Sequence, residues 1–177
     1  FLDENIYKIE KLVGNFIKNI ILIIENQNNL HVNISIKKKN YDNVVNKKNL
    51  ENSLIELKDL FKENYKEYSI MHMIIINYII NGKNYSSFEN NLTSNSLCIE
   101  ASFVPISNDI TLKFDKLLEK YQIKISQYLC GNYIKNFFTE NENEISFKAN
   151  KLKNGLNDNE VILIPKNIEN KGFFEKF

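Results

Sequence analysis

The side chains able to do chemistry are few and far apart. Two cysteines, Cys98 and Cys130, and two histidines, His31 and His72, are the whole supply of thiols and imidazoles. A thiol becomes a nucleophile when a neighbouring base or a helix N-terminus lowers its pKa, so His72 with Cys98 or Cys130 is the combination to weigh. Neither cysteine sits in a recognisable nucleophile turn, and both fall on apolar elements, where a small buried thiol is ordinary. His72 stands in a β-branched run, and a hydrogen-bonded sheet histidine is the commoner outcome there than a ligand or base. No C-x-x-C or H-x-x-x-H spacing exists to hold zinc, and two cysteines make no disulfide framework, so a reducing compartment is the default.

The charged clusters are equally plain. Glu140, Glu142 and Glu144 form a solvated acidic run, not a general acid and base held apart in a cleft. Lys37-Lys38-Lys39 ends an alternating stretch and reads as a solvated hairpin end. The five glycines, at 14, 82, 131, 155 and 172, are too widely spaced to expose the successive backbone N–H groups of a phosphate loop. No catalytic residue, no metal and no cofactor is expected, and interaction through exposed strand edges fits this inventory better than catalysis.

Composition sets the frame for these residues. The chain has 177 residues, 43% hydrophobic and 25% charged with a net charge of +1, which is enough apolar matter for one folded domain and too little charge for disorder. All 23 basic residues are lysine, balanced by 22 acids, so bidentate phosphate or guanine recognition is unavailable and a nucleic-acid partner is not expected. The longest apolar run, Ile20 to Ile24, is far below the roughly 20 residues of a membrane span. The chain opens on Phe1 and stops at Phe177 inside an aromatic pattern, and reads as a piece of a longer protein.

Periodicity then supplies the elements. Asp3 caps a helix carrying Ile6, Ile9, Leu12 and Val13 and ended by Gly14. Phe16 to Glu25 and the alternating Leu30, Val32, Ile34 and Ile36 predict an antiparallel hairpin. Asn49 caps a helix with Leu50, Leu54, Leu57 and Phe61 on one face. Ser69 to Ile80 is a long strand closed by Asn81-Gly82, a type I′ turn signal, with Lys83 to Tyr85 returning. Leu97, Ile99, Ala101 and Phe103 alternate in a further strand closed by Pro105. Ser107-Asn108-Asp109 starts a helix with Ile110, Phe114, Leu117, Leu118 and Tyr121; Ile123 and Ile125 follow as a short strand, and Tyr128 to Phe138 as a fourth helix. The fold class expected is α+β, an antiparallel sheet with helices on one face, burying Leu54, Leu57, Phe61, Phe114, Leu117 and Leu118. Residues 1–138 form the domain. Residues 139–177 are read as an extended polar tail, with Ile145 to Leu152 weakly helical and Glu160 to Pro165 an isolated apolar patch. At its end Phe173, Phe174 and Phe177 beside Lys171 and Lys176 resemble the first turn of an interfacial amphipathic helix, a candidate membrane contact.

The stretch Ile70-Met71-His72-Met73-Ile74-Ile75-Ile76-Asn77-Tyr78-Ile79-Ile80-Asn81-Gly82 is similar to a strand of the bacterial cell-division protein FtsA family, of the form I-x-H-x-I-P-x-x-Y/F-x-x-D-G. His72, Ile74, Tyr78 and Gly82 match in register, while Ile75 stands where the family has Pro and Asn81 where it has Asp. Leu97 to Val104 resembles the strand that follows in that family, and Asp109 to Tyr121 with Ile123 the helix leading to its G-L/I-x-I strand. The likeness covers Ile6 to Phe138 and corresponds to the inserted strand-helix-strand-strand domain of this actin-like family. The family's nucleotide motifs are absent after Phe138, so ATP binding does not carry over. The resemblance implies a non-enzymatic divisome adaptor, cytoplasmic and peripheral on the inner face of the cell membrane, with FtsZ, other division proteins and further copies of itself as partners. A pilus-assembly adaptor of the PilM type and a small α+β enzyme using His72 and a cysteine are the alternatives.

Overall fold

The computed structural model describes residues 1–25, 30–88, 92–138 and 144–162. The fold is α+β, with a four-stranded antiparallel sheet and a separate pair of parallel strands. The antiparallel sheet is built from β2 (Val32–Val45), β3 (Tyr68–Ile80), β4 (Lys83–Tyr85) and β5 (Leu92–Ser107), in the spatial order β2-β5-β3-β4. The helix α2 (Lys47–Asn64) joins β2 to β3 and lies against one face. Strict alternation in β5 sends Leu97, Ile99, Ala101 and Phe103 to that face, where they are fully buried with Leu57 and Phe61 of α2. Phe61 stacks on Phe103 with ring centroids 4.8 Å apart. Burial on this scale stabilises by ~1.5–3 kcal/mol for each large apolar side chain.

In β3 the alternation is kept only by interruption. Register shifts between Ile70 and His72 and between Ile75 and Asn77 each insert one extra residue. Without them the side-chain parity would carry half of β3's apolar set to the wrong face. With them, Tyr68, Ile70, Met73, Ile75, Tyr78 and Ile80 all face α2. The first shift also explains Pro105, expected to close its strand. The strand continues through it to Ser107, because Pro105 pairs with Ile70 beside the bulge, where a missing N–H is tolerated. Asn81 and Gly82 both have positive φ, 50° and 80°, as a type I′ turn requires, and β4 returns from it as expected.

The rest of the chain packs around the second, smaller sheet. The strand β1 (Asn19–Ile24) does not form a hairpin with β2; it pairs in parallel with β6 (Lys124–Cys130), from Asn19 opposite Lys124 to Ile24 opposite Cys130. The physical reason lies in the run Ile20–Ile24, which is continuously apolar and lacks the polar alternation of a half-solvated hairpin strand, a pattern typical of parallel strands. Pairing with β1 also holds residues up to Cys130 extended, so the helix expected from Tyr128 starts at Gly131 as the short α4 (Gly131–Phe137). A Cβ at position 131 would collide with the Glu25 side chain.

Four further expectations are corrected. The helix α1 (Leu2–Val13) is not capped by Asp3, which sits in its first turn and bonds elsewhere, although Gly14 does end it in the left-handed conformation with φ 75°. The cap of α2 is Asn46, whose side chain accepts the Asn49 N–H at 3.0 Å. In α3 (Asn108–Glu119) Leu118 is buried at 4% exposure, but Leu117 is 50% exposed. Leu118, Phe114 and Thr111 form the inward stripe of α3, and Leu117 lies about a quarter-turn away from Leu118. The stretch after 139 is more than a tail, because α5 (Ile145–Lys153) docks Ala149 and Leu152 against Leu129 and Ile134.

Candidate functional site

The bulge at the start of β3 decides where His72 points. It puts His72 on the face away from α2, fully buried, against the junction of β6 and α4. Its Nε2 accepts the backbone N–H of Cys130 at 2.9 Å. An imidazole nitrogen that accepts carries no proton, so the proton is on Nδ1, which donates to Glu160 Oε1 at 2.7 Å. The second oxygen of Glu160 accepts the hydroxyl of Tyr133 in α4 at 3.0 Å, and Asn157 Nδ2 donates to that hydroxyl oxygen at 2.8 Å. The rings of His72 and Tyr133 lie 4.4 Å apart. Burial first, and then the charge of Glu160, pushes the Tyr133 hydroxyl well above the ordinary phenol range.

Four elements therefore meet in one hydrogen-bonded cluster. A His–carboxylate pair is the orienting half of a catalytic dyad or triad, but catalysis needs the far nitrogen free to take a proton from a nucleophile or substrate. Here that nitrogen is occupied by main chain. Among the described residues no buried side-chain nitrogen or oxygen lacks a partner, so the cluster is internally satisfied. It cements β3 to the β6–α4 junction and to the segment after α5.

The other candidate residues are scattered. Cys130 is buried and contributes its main-chain N–H to His72. Cys98 lies on β5 opposite Lys37, and desolvation followed by the charge of Glu100 raises its thiol pKa, the reverse of an activated nucleophile. Lys37, Lys38 and Lys39 lie on β2, at the outer edge of the sheet, and Lys38 pairs with Glu56 of α2 at 2.5 Å. Lysines at that position block further strand pairing. Glu144 stands at the N-cap of α5, while Glu140 and Glu142 lie outside the described residues, as do Phe173, Phe174, Lys176 and Phe177. Among the described residues no group of three or more His, Cys, Asp or Glu could hold a metal ion.

Glu160, Tyr133 and Asn157 are the members that sequence reading missed. Glu160 meets a histidine 88 positions away, and nothing local to Glu160–Pro165 marks that contact. Tyr133 was inside a stretch of helical pattern, where an aromatic reads as packing. Compared with known proteins, the chain matches no protein-family model and no curated protein sequence.

Proposed function

We propose that the chain is a protein–protein interaction module serving as a cell-division adaptor of the FtsA kind, linking FtsZ and later division proteins, and that it is not a catalyst. The observation that carries this reading is the chain order β2-α2-β3-β4-β5: a strand, a helix and two long strands, β3 and β5, with the three-residue β4 between them, folded as an antiparallel sheet with the helix on one face. This is the unit that the resemblance around His72 and Gly82 implies. The saturated state of His72 supports the non-catalytic half, since its reactive nitrogen is spent on the Cys130 N–H.

The test is titration of the purified chain against FtsZ by calorimetry, with sedimentation velocity for self-association. Saturable binding in the micromolar range is expected, and absence of any heat at high micromolar concentrations overturns the cell-division reading. Calorimetry with ATP and magnesium on the same sample is expected to give no saturable heat.

Among the described residues no helix is long and apolar enough to cross a membrane. Peripheral attachment, as the resemblance implies, rests on Phe173, Phe174 and Phe177 with Lys176. With one turn of such a helix this chain alone should bind anionic vesicles weakly or not at all, and the chain extended by its natural downstream residues should co-sediment with them, an effect lost when Phe174 and Phe177 are both changed to Glu. An extended chain that stays in the supernatant at low salt removes the membrane part of the proposal and leaves the interaction part standing.

A further inference from the structure

The edge of β3 is covered in two pieces. On one side β3 pairs with β5 along its whole length, but on the other β4 reaches only Tyr78 to Ile80. Residues Asn159–Val161 fill part of the remaining gap as a short antiparallel strap, with Ile74 opposite Glu160. Ile75 N–H donates to the Asn159 carbonyl and Val161 N–H to the Met73 carbonyl, both at 2.8 Å. The strap's side chains alternate as a strand's must: Val161 packs on the α2-side core, and Glu160 turns to the opposite face to meet His72 and Tyr133.

We propose that this edge is the module's strand-accepting surface and that residues 159–161 are an autoinhibitory strap, latched by Glu160, which an extended partner segment displaces. The inference rests on the reading of the chain as an interaction module. The kind of partner follows from the present occupant: an extended peptide that pairs antiparallel with Met73–Ile75, places a carboxylate at the Glu160 position, and follows it with a β-branched apolar residue. His72 Nδ1–H and the Tyr133 hydroxyl are donors fixed in place to receive that carboxylate. Such addition to a sheet edge takes affinity from main-chain hydrogen bonds and specificity from alternate side chains.

The strap is a smaller attachment than the strands beside it. Within the described residues it joins β3 by one bridge pair with two main-chain hydrogen bonds, by the Glu160 bonds to His72 and Tyr133 and by Val161 on the core, whereas β5 is paired along its length on both sides. The residues flanking it are solvated, with Leu156 and Ile162 about half exposed and Gly155 supplying a positive φ of 83° at the turn after α5. Elements with few buried contacts open locally at lower free energy than the core.

Residue-resolved amide hydrogen exchange on the full chain tests this. In the unaltered protein the Ile75 and Val161 amides should exchange at least about tenfold faster than those of Ile99, Ala101 and Phe103 in β5, through an opening that leaves β5 protected. Glu160→Ala should speed the two strap amides by a further factor of about ten, the worth of a hydrogen bond to a charged group, with the β5 amides still the slower set although the loss of global stability speeds them too. A peptide of the sequence Asn-Asp-Asn-Glu-Val-Ile, added to the Glu160→Ala chain at millimolar concentration, should restore protection at Ile75, and its Glu→Ala version should not. Strap and β5 amides exchanging at one common rate in the unaltered protein would make the segment integral to the fold and overturn the proposal. Failure of the peptide to protect Ile75 overturns the strand-accepting surface. Neither result involves FtsZ, so each is separate from the fate of the adaptor reading.

Discussion

The four-stranded antiparallel sheet and the two-stranded parallel pair are made from similar apolar residues and end in different states. In the first, Leu57, Phe61, Met73, Ala101 and Phe103 have no exposed surface at all. In the second, Ile20 to Ile24 of β1 are only half-buried, and α1, which precedes it in the chain, contributes no buried residue; Tyr7, Leu12 and Val13 of α1 and Phe16 after it are exposed. The difference is one of cover, not of hydrophobicity. One long helix of 18 residues closes the antiparallel sheet. The parallel pair has two strands and short or weakly attached helices, so it depends on the larger sheet for its stability. Its attachment point is the His72 cluster, where a side chain of β3 accepts the main-chain N–H of the last residue of β6.

The sharpest way to break this comparison is a matched pair of truncations. Phe61→Ala in the antiparallel core should cost ~3–5 kcal/mol. Leu117→Ala, on the half-exposed flank of α3, should cost less than ~1 kcal/mol. Urea unfolding midpoints compare them, and equal losses would mean that the two halves share one core. Next in size is Glu160→Ala, which leaves the buried His72 Nδ1–H without its acceptor and should lower stability by ~1–3 kcal/mol in the same assay. Tyr133→Phe removes one contact from the same cluster and should cost less.

A smaller effect separates the halves by pH. Tyr133 is raised by burial, and then by the Glu160 charge; Tyr128 of β6 by burial and by its bond to Asp115; Tyr78 by burial alone. A phenol whose folded pKa is raised contributes its full stability below the unfolded value of 10, and that contribution is lost as pH climbs above it. Melting temperature should therefore fall steadily from pH 10 upward, together with tyrosinate absorbance. Tyr128→Phe should flatten the slope. The smallest effect expected is at Asp3, whose carboxylate accepts from Tyr121 and Lys120 at the solvated end of α3 and is held below the usual carboxylate range chiefly by the Tyr121 bond. Asp3→Ala should leave the unfolding midpoint in place and speed proteolysis within α1.

These two regions also differ in how far the sequence reveals them. The antiparallel unit is legible because each of its signals is local. Leu97 to Phe103 alternate, Asn81-Gly82 demands two positive φ values, and Leu50 to Phe61 repeat at helical spacing. The parallel pair is not legible, because β1 and β6 are about a hundred residues apart and an apolar run such as Ile20–Ile24 does not state its partner. Periodicity also places Leu117 and Leu118 on one broad stripe, and only packing decides which of them turns inward. The candidate site was half visible. His72 reads correctly as a hydrogen-bonded sheet histidine, but Glu160, Tyr133 and Asn157 reach it through tertiary structure alone.

The most direct test of the central claim, that the polar chemistry of this chain is spent on joining its two halves and its function lies in its surfaces, is the tautomer of His72. Long-range proton–nitrogen correlation spectra of the labelled chain at neutral pH should show His72 Nδ1 as the protonated nitrogen and Nε2 as the bare acceptor, with the Nδ1 proton slow to exchange. A proton on Nε2, or a ring proton exchanging freely with water, would mean that the Cys130 N–H does not occupy that nitrogen and that His72 is free to act as a base.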